Sequence, residues 1–155
     1  MPLKTGRIPP GAMDSRQWAS FVARAGIQAD RTVKTFTPTS WDGFSVDPVG
    51  SFSYQDFGAI VTMWRNEFLV GTSDDTFMTL SGIPLSIRPT SPRVFRCYVV
   101  DNGIVFAGNA LIDPDGDITF SLEVVAGSKM IYDSNGFTAA ADKGIPFSWL
   151  IMYAK

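Results

Sequence analysis

Gly71-Thr72-Ser73-Asp74-Asp75-Thr76-Phe77-Met78-Thr79-Leu80-Ser81-Gly82-Ile83-Pro84-Leu85-Ser86-Ile87-Arg88-Pro89 is a strand set between breakers. Phe77 and, less cleanly, Leu80 are apolar among threonines and serines. Gly82 and Pro84 stop the run, and Pro89 stops the next one. A strand this rich in Thr and Ser suits a sheet with one dry face and one wet face. Ser86 to Pro89 reads as an extended edge or linker, because proline cannot donate to a ladder.

The runs on either side have the same character. Downstream, Arg93 to Val100 and Ile104 to Ile112 flank Asp101-Asn102-Gly103, and Asn-Gly between apolar runs is a strong hairpin signal. Asp113-Pro114-Asp115-Gly116 turns the chain again. Ile118, Phe120, Leu122 and Val124 then alternate with Asp117, Thr119, Ser121 and Glu123, the period of a half-buried antiparallel strand. Lys129 to Tyr132 reads as a short strand before the Asp133-Ser134-Asn135-Gly136 turn. Phe147 to Tyr153 places Phe, Trp, Ile and Tyr on one side and Ser, Leu and Met on the other. Both faces of its second half are apolar, so Leu150 and Met152 are candidates for self-association. Upstream, Arg31 to Phe36 alternates around Val33. Trp41 to Val46 and Ser51 to Tyr54 flank Asp47-Pro48-Val49-Gly50 and read as a hairpin. Phe57 to Trp64 is continuous enough for a central strand, with Phe68 to Val70 as its expected partner.

The N-terminal stretch differs. Met1 to Gly11 holds Pro2, Pro9 and Pro10, which forbid regular structure, and Lys4 and Arg7, which make it basic. From Ala12 to Gly26 the pattern is helical. Asp14 suits the N-cap, with Gln17 three residues on. Trp18, Phe21, Val22 and Ala25 form one stripe, and Gly26 follows as a stop. A helix of this length is marginal alone and needs a surface to bury its stripe. The expectation is an arm and helix over 1–30 that dock through Lys4, Arg7, Pro9, Pro10, Trp18 and Phe21, and a β-domain over 31–155.

Composition agrees with this division. The chain has 155 residues, 45% apolar and only 18% charged, with 14 glycines and 10 prolines. That length supports a core without staples. About ten short strands with frequent turns describe an all-β fold, a two-sheet antiparallel sandwich of jelly-roll character. Net charge is −2, so the cationic face that nucleic acid requires is not written, although Arg88, Arg93 and Arg96 lie close in sequence. No apolar run reaches the roughly 20 residues of a membrane span, and no apolar leader follows the Pro-rich start. Cys97, the single cysteine, reads as a buried, inert thiol.

Candidate chemistry is sparse. The sequence has no histidine, which removes Ser-His-Asp and Cys-His arrangements and His-ligated metals. Glycoside cleavage needs only two carboxylates, but the two glutamates, Glu67 and Glu123, carry no local signature. Asp113-x-Asp115-x-Asp117 opens like a calcium loop and then fails, with Ile118 where glycine belongs and Val124 where the bidentate Glu belongs. A hairpin turn is the simpler reading. Phosphate-cradling glycine loops are missing. The expectation is a protein that is not an enzyme and holds no metal or cofactor. Among the four tryptophans, Trp41, beside Asp42 and Gly43, is the candidate for stacking on a sugar.

Several short motifs also carry a family resemblance. Gly71-Thr72-Ser73 is followed by Thr76-Phe77, Gly82-Ile83-Pro84 and Ile87-Arg88-Pro89. Gly136-Phe137-Thr138, Lys143-Gly144-Ile145-Pro146 and the closing Trp149 to Tyr153 continue the pattern, as do Phe36-Thr37-Pro38 and Trp41 to Ser45 upstream. Together they resemble a β-sandwich module of tailed-bacteriophage virion proteins, found in heads of short tail fibres and in small particle-decorating proteins. The likeness runs from Thr35 to Tyr153 and departs at Ala139 to Asp142, where Ser-Gly is more usual. It implies a homotrimer, other virion proteins as partners, and a place in the virion after folding in the host cytoplasm. Two jobs follow from it: a capsid decoration (cement) protein, or a receptor-binding head that meets a host surface glycan. A fibre head usually follows a long shaft and only residues 1–30 precede the sandwich here, so decoration is the first expectation. A carbohydrate-binding module is the reading outside that class.

Overall fold

The computed structural model describes residues 32–126 and 129–155, and the arm and helix expected over 1–30 lie outside them. The described residues form thirteen strands: β1 Lys34–Phe36, β2 Ser40–Asp42, β3 Phe44–Val46, β4 Phe52–Asp56, β5 Ile60–Arg65, β6 Leu69–Ser73, β7 Met78–Ser81, β8 Arg93–Asp101, β9 Ile104–Ile112, β10 Asp117–Ala126, β11 Lys129–Asp133, β12 Asp142–Ile145 and β13 Trp149–Ala154. Every pairing among them is antiparallel. The smaller sheet has the order β1-β4-β5-β13. The larger runs β2-β7-β10-β9-β8-β12-β6-β3, with β11 added on β10.

The strands that read most clearly formed as expected. β8 and β9 pair over nine residues across Asn102 and Gly103. Both turn residues have positive φ, 50° and 73°, the twist a two-residue hairpin requires. β10 buries Ile118, Phe120 and Leu122 and leaves the intervening residues half-exposed.

Other expectations failed, mostly for non-local reasons. The stretch from Trp41 to Val46 does not pair with Ser51 to Tyr54. Gly43, at φ +92°, breaks it into β2, which pairs with β7, and β3, which pairs with β6. A Cβ on Gly43 would collide with the Phe77 carbonyl, so glycine is required for the approach as well as the turn. β6 leaves β5 for β12, and β5 lies instead between β4 and β13. Leu85–Ile87 forms a 3-10 turn rather than an extended edge; it buries Ile87, whose carbonyl accepts a 2.8 Å hydrogen bond from the Tyr153 hydroxyl. The last strand begins at Trp149 rather than Phe147, because Ser148 takes a left-handed φ of 58° and ends the extended run.

Only Gly43 separates β2 and β3, yet these strands form the two edges of the larger sheet. The sheet therefore curls until its edges meet, and becomes barrel-like. Its inner face and the smaller sheet share one core. Phe36 stacks on Phe52 at 5.4 Å, Phe52 meets Trp149 edge-on at 5.6 Å, and Trp149 reaches Phe120 of the larger sheet at 6.3 Å.

Lys143 closes the seam. It is fully buried on β12, and its ammonium donates to the carbonyls of Gly43 (2.9 Å), Asp75 (3.0 Å) and Phe77. The ring of Phe44 lies 4.8 Å below it. Burial pulls its pKa down, and Asp74, Asp75 and Asp101 resist the shift. Nearby, the Asp101 carboxylate accepts from the Thr138 backbone N–H (2.7 Å) and hydroxyl (2.9 Å), which ties down the segment after β11. The chain then runs from Lys143 through Ile145 and Pro146 into the surface described next.

Candidate interaction surface

β13 is an edge strand, and its alternation decides what each side chain does. Trp149, Ile151 and Tyr153 point into the core, while Leu150 and Met152 are 57% and 58% exposed on the outer face. The backbone alternates too. Lys155 N–H donates to Ala59 O, so in this antiparallel ladder residues 149, 151 and 153 aim their N–H and C=O groups at β5. Leu150, Met152 and Ala154 aim theirs outward. The Ala154 carbonyl accepts from Arg93 Nε at 3.3 Å. Among the described residues no strand pairs with this outer edge.

A cavity of about 460 Å³ lies beside the start of β13, lined by Cys97, Tyr98, Gly108, Phe147, Trp149 and Leu150 among others. A second, of about 440 Å³, is lined by Tyr98, Val105, Pro146, Phe147 and Ser148. The left-handed Ser148 throws Phe147 outward to 59% exposure, where its ring meets that of Phe68 at 5.3 Å. Tyr98 is 64% exposed on β8. Tyr98, Phe147 and Leu150 thus meet at the first cavity, Val105 joins Tyr98 and Phe147 at the second, Phe68 lies against Phe147, and Met152 follows Leu150 on the same face of β13.

Polar groups are few here and unevenly used. Trp149 Nε1 is buried without a hydrogen-bond partner. It faces the Cys97 thiol and acts to lower the thiol pKa. Burial dominates and pushes that pKa up to about 11, so the half-buried thiol stays protonated at neutral pH. At the rim, Arg96 donates to the Tyr132 hydroxyl at 2.8 Å and to Glu123 at 3.3 Å. The surface can therefore offer apolar area and an open main-chain ladder at Leu150 and Met152.

The structure sorts the sequence candidates. Leu150 and Met152 share the exposed face of β13. Trp41 is 6% exposed, and its ring packs edge-on against Phe44 at 5.5 Å; it presents no open face to a sugar. That expectation is corrected by the pairing of β2 with β7, which turns Trp41 into the core. Lys4, Arg7, Pro9, Pro10, Trp18 and Phe21 lie outside the described residues. Arg88, Arg93 and Arg96 do not pool their charge: Arg88 binds the Ile83 carbonyl, Arg93 the Ala154 carbonyl, and Arg96 its own acidic partner. In the Asp113 turn, one carboxylate oxygen accepts from the backbone N–H groups of Asp115, Gly116 and Asp117 at 3.0 Å each, as a hairpin turn requires. Sequence reasoning missed Tyr98 and Phe147. The available signal was that β8 is apolar on both faces.

No protein-family model matches this chain, and no curated protein matches it.

Proposed function

We propose that this chain is a non-enzymatic building block of a tailed-bacteriophage particle. Residues 31–155 form a two-sheet sandwich of jelly-roll character that associates with copies of itself, and residues 1–30 fasten it to other virion proteins. The observation that carries the reading is the apolar face around β13, where an unpaired ladder and six large apolar side chains lie together. Surfaces of this kind mark protein contacts. The word "phage" comes from the resemblance of Gly71 to Pro89 and Lys143 to Tyr153, which also implies three-fold symmetry. Capsid decoration is the job we favour, in the virion after folding in the host cytoplasm. The second reading, a receptor-binding head, draws on the two exposed aromatic rings, Tyr98 and Phe147, beside a cavity.

The test is retention on the particle. Full-length chain added to particles that lack it should co-sediment with them, and a chain lacking residues 1–26 should stay in solution. Equal retention of the truncated chain would contradict the docking role.

A further inference from the structure

We infer that the outer edge of β13, with the patch from Tyr98 and Phe147 to Met152, is the face on which a second copy of this chain packs. The inference rests on the self-association proposed above and locates it. Three observations select a second copy as the occupant. First, β13 carries few of the devices that keep an edge strand from pairing: Trp149 to Ala154 holds no charge, no proline and no bulge, and Arg93 covers just the Ala154 carbonyl at its end. Second, the outward N–H and C=O groups belong to Leu150 and Met152, whose side chains are also exposed and apolar. A strand added there would gain main-chain hydrogen bonds and apolar contact in the same register. Third, the area fits. Taking roughly 150–250 Å² for a whole residue of these types, the exposed parts of Phe68, Tyr98, Val105, Phe147, Leu150 and Met152 come to roughly 650 Å². The largest patch on a monomer is about 300–600 Å². A stable interface takes about 800 Å² from each partner, only partly apolar.

The orientation of the ladder supplies a selective test. Met152 N–H points away from β5, so Met152→Pro removes a donor from the free edge and leaves the β5–β13 ladder intact. The double change Leu150→Thr with Met152→Thr keeps strand propensity and removes apolar area. Full-length wild type and both variants are compared by sedimentation over a concentration series, with circular dichroism and thermal melting to show that each is folded. Wild type should be oligomeric. Met152→Pro should weaken association roughly fivefold to tenfold, one hydrogen bond per contact. The double threonine variant should weaken it roughly a hundredfold. An oligomer that neither variant disturbs would overturn this face and leave self-association standing. A wild type that stays monomeric at its highest soluble concentration would overturn both, as would a monomer whose patch takes up an added oligosaccharide instead.

Discussion

Replacing Lys143 with methionine tests how the curled sheet is held shut. Methionine fits the apolar stem of lysine but donates no hydrogen bond, so three part-buried carbonyls lose a donor. Gly43 O keeps the Asp74 N–H at 3.2 Å, and Asp75 O keeps the Ser73 hydroxyl at 2.7 Å. Phe77 O is left worst, since Lys143 is the donor that reaches it. Unsatisfied buried acceptors cost about 1–3 kcal/mol each. The two that keep a partner belong at the low end and Phe77 O at the high end. Against this, the variant no longer buries a cation, whose depressed pKa records that desolvation is unfavourable. The balance is a loss of about 2–4 kcal/mol, a large share of the 5–15 kcal/mol that holds a domain together. Urea denaturation followed by tryptophan fluorescence should show a midpoint lower by about 1–2 M with an unchanged slope. A midpoint equal to or above that of wild type would refute the reasoning, because it would mean the carbonyl cage gains nothing from the ammonium.

Further outcomes follow from the same geometry. Gly103→Ala meets no atom within 4 Å but must hold φ at +73°, so it should cost about 1–2 kcal/mol through the backbone alone, read from thermal melting. Asp113→Ala removes the carboxylate that three backbone N–H groups share, although Gly116 N–H keeps the Asp113 carbonyl at 3.2 Å, and should cost about 1–2 kcal/mol, read the same way; Asp113→Asn should restore part of the loss. The Cys97 thiol should react with an alkylating reagent at pH 8 far more slowly in the folded chain than in urea. Its folded pKa, about 11, lies above the ordinary thiol value of 9.0, so its contribution to stability is complete below pH 9 and is lost as the pH rises toward 11. A Cys97→Ala variant should show less of that alkaline destabilisation in a pH series of melting curves.

How much of this could be read in advance depends on the range of the contacts. The β8–β9 hairpin and the alternation of β10 are local: two turn residues and a period of two specify them. The outward face of Leu150 and Met152 was legible for the same reason. The split at Gly43 was not, because it answers to the approach of Phe77, some thirty residues away. Nor was Lys143. A lysine between aspartate and glycine reads as a solvated turn, and only the closing of the sheet gathers the carbonyls of Gly43, Asp75 and Phe77 around it. Trp41 and Tyr98 show the same limit from opposite sides. Both are aromatic residues in strands, and the tertiary packing decided that one went inward and the other out.

The most direct test of the central claim is the number of copies per purified particle, counted with isotope-labelled peptides. The account predicts hundreds, as a protein decorating the shell would give. A dozen or two would favour the tail-appendage reading, and absence from the particle would contradict the account altogether.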